Sequence, residues 1–222
     1  MSQVPGTPPR SARRRILVGL AVLVLTAAGC ATVAPGLTDG GLQTHVLTAP
    51  AGATARPASG PVLLVAPPIA RAGFDSRRMA YVQRPFELSY FARNEWADTP
   101  ARMLHPLLVQ VLEAQGAFRA VLAGPNAAAA DLRLDTEVLA LQQEFLTEPS
   151  VTRVALRAQV VDLASREVLA TQVFEAIEPA ASADPYGGVV GLNRALHVVL
   201  GRLAAFVAMA ASGAERRPPA TR

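Results

Sequence analysis

Few side chains in this sequence combine a reactive type with a spacing that could do chemistry, and the first to consider is Cys30, the only cysteine among 222 residues. A thiolate is a strong nucleophile. A single thiol cannot form an internal disulfide, so nothing downstream is stapled and the rest of the chain must hold together by packing. His45, His105 and His197 are far apart, and none has a second His, Cys or carboxylate at a metal-binding spacing. The cluster Gly187-Gly188-Val189-Val190-Gly191 could suggest a phosphate-cradling loop, but no Lys follows it and Pro179 and Pro185 interrupt the stretch before it. The expectation there is a loop leading into a helix. Ser76, Ser89 and Ser150 lack the G-x-S-x-G setting of an exposed nucleophile. Glu144, Glu148, Glu175 and Glu178 fall near the ends of expected strands, where carboxylates ordinarily face water. No acid–base pair, metal set or cofactor site can be assembled, so a non-enzymatic role with no cofactor is expected.

The surroundings of Cys30 give its chemistry a purpose. Arg13-Arg14-Arg15 is a positive n-region, Ile16 to Leu25 is an unbroken apolar run too short to span a bilayer, and small residues follow up to Cys30. That is the layout of a secretory signal peptide over 1–29. With Gly29 and Ala28 before it, Cys30 stands where a bacterial lipobox places its lipidated residue, although Ala27 occupies the position where Leu is usual. Alkylation by a diacylglycerol donor would add acyl chains that partition at about 0.8 kcal/mol per buried methylene. Ordinary cleavage near Gly29 and Ala31 is the alternative, and it would yield a soluble periplasmic protein. Ala31 is not Asp, which by similarity to enterobacterial lipoproteins implies sorting to the outer membrane.

The net charge of +4 also belongs to the leader, because Arg10, Arg13, Arg14 and Arg15 face no acidic residue upstream of Cys30 and their removal leaves a formal charge of zero. A neutral domain lacks the basic footprint of a nucleic-acid binder. Residues 30–60 read as a lipidated N-terminus and tether, in which Gln43 to Leu47 is either linker or a first strand. The folded domain is expected over 61–211, with 212–222 a polar tail. Pro61 to Pro68 reads as a short buried strand and Arg77 to Phe91 as two strands or a hairpin. Asp98-Thr99-Pro100 signals the start of an amphipathic helix closed by Gly116, with Pro106 expected to kink it or fray its first turn. Leu132, Leu134, Thr136 and Val138 share one strand face while Leu139 and Leu141 have the opposite parity, so a bulge near Val138 is expected. Strands through Val154–Val160 and Val168–Ile177 follow, and then a long helix carrying Leu192, Leu196, Val199, Leu203 and Phe206 on one stripe. The fold class is α+β, an antiparallel sheet with two main helices packed on one face.

One segment is richer than a bland domain requires. Between Phe74 and Trp96, aromatic residues including Tyr81 and Tyr90 interleave with Arg77, Arg78, Arg84 and Arg93, a mixture that interfaces favour and that cores also use. The strings Gly73 to Tyr81, Leu88-Ser89-Tyr90-Phe91 and Trp96-Ala97-Asp98-Thr99-Pro100, with Val65-Ala66-Pro67-Pro68 before them and Gly116 to Val121 after, resemble the ABC-type transport auxiliary lipoprotein family. The resemblance covers roughly Val62 to Ala211. It implies an accessory of an MCE-type lipid transport system, working beside a permease, an ATPase and a periplasmic MCE protein. The implied partners are the membrane, reached through the lipid on Cys30, and the MCE protein; Tyr81 and Tyr90, which are either core or interface, are the candidate contacts for that partner, and lipid cargo and further copies of the chain are additional candidates. An outer-membrane assembly lipoprotein or an exported enzyme are the competing readings.

If Cys30 carries the anchor, the mature N-terminus will show diacylglycerol by mass spectrometry. Cys30→Ala will then leave a folded domain released from the membrane fraction, whereas an unmodified N-terminus downstream of Cys30 in wild-type cells would exclude the anchor.

Overall fold

The computed structural model describes residues 41–50, 59–125 and 128–215, all within a compact unit spanning Gly41–Arg222. In chain order the elements are β1 Gln43–His45, β2 Val62–Val65, β3 Ile69–Ala70, β4 Arg78–Arg84, β5 Glu87–Trp96, α1 Pro100–Gln115, β6 Ala120–Ala123, β7 Leu132–Glu144, β8 Val151–Asp162, β9 Val168–Pro179 and α2 Pro185–Glu215. The strands form one nine-stranded sheet. Both helices pack on the same face of it, α1 over β2, β3, β6 and β7, and α2 over β7, β8 and β9. The α+β class expected from the sequence is the one observed.

The centre of the sheet is β7. Along one edge it pairs antiparallel with β8 from Leu132↔Asp162 to Glu144↔Val151. Its other edge is shared by three short strands, all parallel to it: β2 opposite Leu132–Leu134, β3 opposite Glu137 and Val138, and β4 opposite Gln142–Glu144. Pro67 and Pro68 have no N–H to give to a ladder, which is why β2 and β3 are separate strands. The sheet is therefore mixed, though mostly antiparallel. β6 lies outside β2, β5 outside β4, and β1 outside β5.

The expected bulge is present: the β7–β8 register shifts between Val138 and Ala140, leaving Leu139 as the extra residue. Before it Leu132, Leu134, Thr136 and Val138 face the helices, and after it Leu141 and Gln143 do so. One inserted residue thus keeps both apolar sets on the buried side. β8 continues this layer with Val154, Leu156, Ala158 and Val160, and β9 with Phe174 and Ala176.

The start of α1 departs in detail from its expected cap. Pro100 occupies the first helical position, but the Thr99 side chain makes no capping bond. Asp98 instead accepts the Thr99 N–H at 2.8 Å and pairs with Arg102 at 3.3 Å. The helix runs through Pro106, which faces solvent, and stops at Gly116, whose φ of 67° suits glycine.

Gly187, Gly188 and Gly191 lie inside the first turns of α2 and not in a loop before it. The reason is proximity: a Cβ on Gly188 would sit 2.3 Å from Gln143 Oε1, and one on Gly191 would sit 2.8 Å from Thr152. Helical glycine costs about 1 kcal/mol relative to alanine, and here it lets α2 lie directly on β7 and β8. Further along, Leu192, Leu196, Val199, Leu203 and Val207 are buried against the sheet, so this long apolar helix spends its stripe on the core.

Packed structure also reaches upstream of Pro61. β1 pairs with β5, Leu47 is buried, and Asn193 on α2 accepts the Thr48 N–H at 2.8 Å while His197 donates to the Thr48 carbonyl at 3.0 Å. At the far edge, the bond from Ala180 N–H to the Ser150 carbonyl turns the odd-numbered backbone groups of β9 away from β8. Arg202 and Arg194 of α2 donate to the outward carbonyls of Glu175 and Pro179, which blunts an otherwise open strand edge.

Leu203 is fully buried and Arg202 beside it is exposed. Leu203→Asp should destabilise the domain by more than about 4 kcal/mol by burying an unpaired charge, and Arg202→Ala by no more than about 1 kcal/mol through one lost hydrogen bond. Urea unfolding of the two variants measures the difference, and equal midpoints would refute this packing of α2.

Candidate docking site

The residues singled out between Phe74 and Trp96 separate into three environments. Trp96 closes β5 at 1 % exposure and belongs to the core. Tyr81 and Tyr90 are both half-buried but lie on opposite faces of the sheet, because Tyr81 pairs with Ser89 and the side chains of Ser89 and Tyr90 alternate.

Tyr90 is committed to its own loop. Its hydroxyl donates to the Gly73 carbonyl at 3.1 Å and the Arg78 guanidinium stacks 3.8 Å above its ring. Gly73 has φ +96°, and a Cβ there would meet Leu88 at 2.8 Å, so the loop can lie against β5 only with glycine at this position. The ring thus ties residues 71–76 to the sheet.

Tyr81 instead joins an aromatic trio. Its ring is 4.5 Å from Phe91 and 6.0 Å from Phe145, and those two are 6.5 Å apart. The register brings them together: Tyr81 neighbours Ser89 on one side and Gln143 on the other, and the residue two further along each strand, Phe91 or Phe145, returns to the same face. All three rings remain half-buried, so edges reach solvent from a rigid three-strand platform. Composition had pointed to the β4–β5 aromatics; Phe145, more than 50 residues downstream, carried no sequence signal connecting it to them.

The tip of the β4–β5 hairpin adds Phe86, which is fully exposed at 108 % and has φ 69°. Arg84 and Glu87 pair across its base at 3.0 Å. In the neighbouring β7–β8 loop Leu146 is also exposed.

The uncovered sheet face is laced with ion pairs, Arg133 with Asp135 at 2.9 Å and Arg157 with Glu137 at 3.5 Å. Glu144, expected at a wet strand end, is instead buried at 6 % exposure. Arg153 grips it with Nε 2.6 Å from Oε1 and Nη2 3.2 Å from Oε2, Gln142 donates to it at 2.7 Å, and Arg153 also pairs with Glu175. Burial pushes the Glu144 carboxyl upward, but the bonds from Arg153 and Gln142 and the Arg153 charge outweigh it and hold the group below its ordinary range.

Each histidine has a structural partner: His45 with Asn94, His105 with the Val65 carbonyl, His197 with that of Thr48. Among the described residues no group of three or more His, Cys, Asp or Glu could hold a metal ion. Cys30 lies outside the described residues.

A family model described as the ABC-type transport auxiliary lipoprotein component matches residues 45–207. Among solved structures, protein XCC0632 from Xanthomonas campestris is similar at a TM-score of 0.70 and 22 % identity, over 79 % of this chain and 100 % of that one. The hypothetical protein CT253 from Chlamydia trachomatis is similar at a TM-score of 0.51 and 10 % identity, over 70 % of this chain and 99 % of that one. At these identities the likeness shows the fold alone. No curated protein matches the chain in sequence.

Because the native Glu144 pKa is lowered, its ion pair stabilises the fold fully above the unfolded carboxylate pKa, and that stability is lost as pH falls through the native value. Glu144→Gln should therefore melt lower than wild type near neutrality and flatten the fall in melting temperature on acidification. An unchanged acid slope would show that Glu144 contributes nothing to it.

Proposed function

We propose that this chain, which belongs to the ABC-type transport auxiliary lipoprotein family, is a lipid-anchored periplasmic accessory of an MCE-type lipid transport system. On this reading Cys30 carries the anchor, most naturally in the outer membrane, and the folded domain docks the transporter's periplasmic MCE protein. The observation that carries the docking role is the trio Tyr81, Phe91 and Phe145, three half-buried rings in tilted and edge-to-face contact, held at the surface by three paired strands. Rigid, half-exposed aromatics with few rotamers to lose are the side chains that anchor protein interfaces.

The sequence-based pairing of Tyr81 with Tyr90 as partner contacts is now divided. Tyr81 keeps the interface role. Tyr90 spends its hydroxyl and one ring face within the chain, so its contribution to docking is to hold the 71–76 loop in shape. The MCE assignment, as distinct from an ABC transport role, rests on the sequence resemblance alone.

Copurification of the full-length lipoprotein with the permease, ATPase and MCE proteins encoded beside it tests the assignment. Tyr81→Ala should weaken retention by about thirtyfold, the loss of one interface anchor worth about 2 kcal/mol. Its melting temperature should fall by only about 2–4 °C, the shift expected for about 1 kcal/mol in a domain of this size. Tyr90→Ala should lower the melting temperature more than it lowers retention. Recovery of outer-membrane assembly proteins in place of the transporter would favour the competing reading, and a Tyr81→Ala variant that melts far below wild type would make the trio core.

A further inference from the structure

We infer that the tip of the β4–β5 hairpin is a wedge for a lipid surface, with Phe86 inserted at the boundary between headgroups and acyl chains. Phe86 is exposed at 108 %, whereas Tyr81, Tyr90 and Phe91 on the same hairpin are half-buried. Its φ of 69° lies in the left-handed region, where Gly or Asn would sit with less strain and without exposing a ring. Nothing in the fold calls for a large apolar side chain there.

The surroundings suit a bilayer interface. Arg84 and Glu87 neutralise each other at the base of the tip, so the protruding end, Pro85 and Phe86, is uncharged. Beside it Leu146 is 47 % exposed, and Val82, Pro85, Phe86, Leu88 and Leu146 line the apolar part of a groove of about 510 Å³ on the uncovered sheet face, whose remaining lining includes Arg71, Glu87, Gln142 and the paired Glu144 and Arg153. An apolar point above a polar neck matches the depth profile of a membrane interface, where aromatic rings are favoured.

The path of the chain selects a membrane as occupant. β5 starts at the tip and β1 runs parallel to it, so the polypeptide enters the sheet from the tip side. Gln43 pairs with Asn94, which is eight residues along β5 from Phe86, about 26 Å at strand spacing. Cys30 is thirteen residues before Gln43, a stretch that can extend to about 45 Å. A lipid on Cys30 and the ring of Phe86 can therefore reach the same bilayer. This inference rests on the anchor proposed above. Tethering also explains how one ring suffices, because the anchor supplies a high effective concentration of the tip at the surface.

The test uses the full-length lipoprotein reconstituted into phosphatidylethanolamine–phosphatidylglycerol vesicles containing lipids brominated on their acyl chains, which quench tryptophan on contact. The native Trp96 is buried at 1 % exposure and Met209, at 68 %, lies near the opposite end of α2, so wild type and Met209→Trp report background. The tip inserts if Phe86→Trp loses emission and shifts to the blue while both controls do not, and if the effect persists at high salt, as expected for an uncharged wedge. Quenching of Phe86→Trp no greater than that of Met209→Trp, in protein that floats with the vesicles, overturns the wedge and leaves the anchor standing. Protein that does not float fails the anchor and the wedge together. Absence of quenching combined with lost transporter retention in Phe86→Ser would assign the tip to a protein partner and overturn the lipid surface.

Discussion

A strand of thirteen residues in the middle of a sheet must find hydrogen-bond partners along both edges, since every unpaired buried backbone group carries a penalty, and β7 meets that demand in two ways. β8 follows it antiparallel for its whole length after a short turn. The opposite edge is filled piecewise by β2, β3 and β4, three fragments of one upstream stretch that runs beside β7 in the same direction. Where Pro67 and Pro68 interrupt that stretch, and where residues 71–77 leave it, the fragments are cut. The β4–β5 hairpin owes its position to this arrangement: β4 pairs with the last residues of β7, and the hairpin projects from there past the end of the central strand.

The helix layer depends on the same strand. The bulge at Leu139 keeps the helix-facing side apolar over most of β7, and the final helix-facing position is Gln143, a buried polar residue that bonds Ser150 and the Ser182 carbonyl. Gly188 and Gly191 are the counterpart on α2, leaving room for Gln143 and Thr152 below. The start of α2 is thereby placed against the end of the sheet from which the β4–β5 hairpin projects. Its later arginines reach around to the outward carbonyls of β9, so one helix both covers the core and guards the exposed edge.

The two faces of the β4–β5 hairpin have been given different work. On the helix side, Tyr81, Phe91 and Phe145 form a platform of tilted and edge-to-face rings; on the uncovered side, Tyr90, Arg78 and Gly73 lock a loop. Neighbouring ion pairs on the uncovered face cancel locally, with Glu144 held between Gln142 and Arg153. That face therefore offers shape and apolar ledges more than net charge.

Much of this was legible in the amino-acid order alone. The α+β class, the helix from Pro100 to Gly116, the bulge, the strand meander and the family follow from periodicity, turn chemistry and local strings, because each depends on residues close together in sequence. Sequence alone could not say that Phe145 joins Tyr81 and Phe91, that Tyr81 and Tyr90 face opposite ways, that Glu144 is buried, or that Gly187, Gly188 and Gly191 lie inside a helix and not in a loop before it. These are consequences of register between strands far apart in the chain, and of how closely a helix can approach the sheet beneath it. Composition marked the aromatic segment as rich in interface-type residues; only the tertiary pairing decided which rings were consumed by the fold, because burial is a property of neighbours that pairing supplies and local sequence does not.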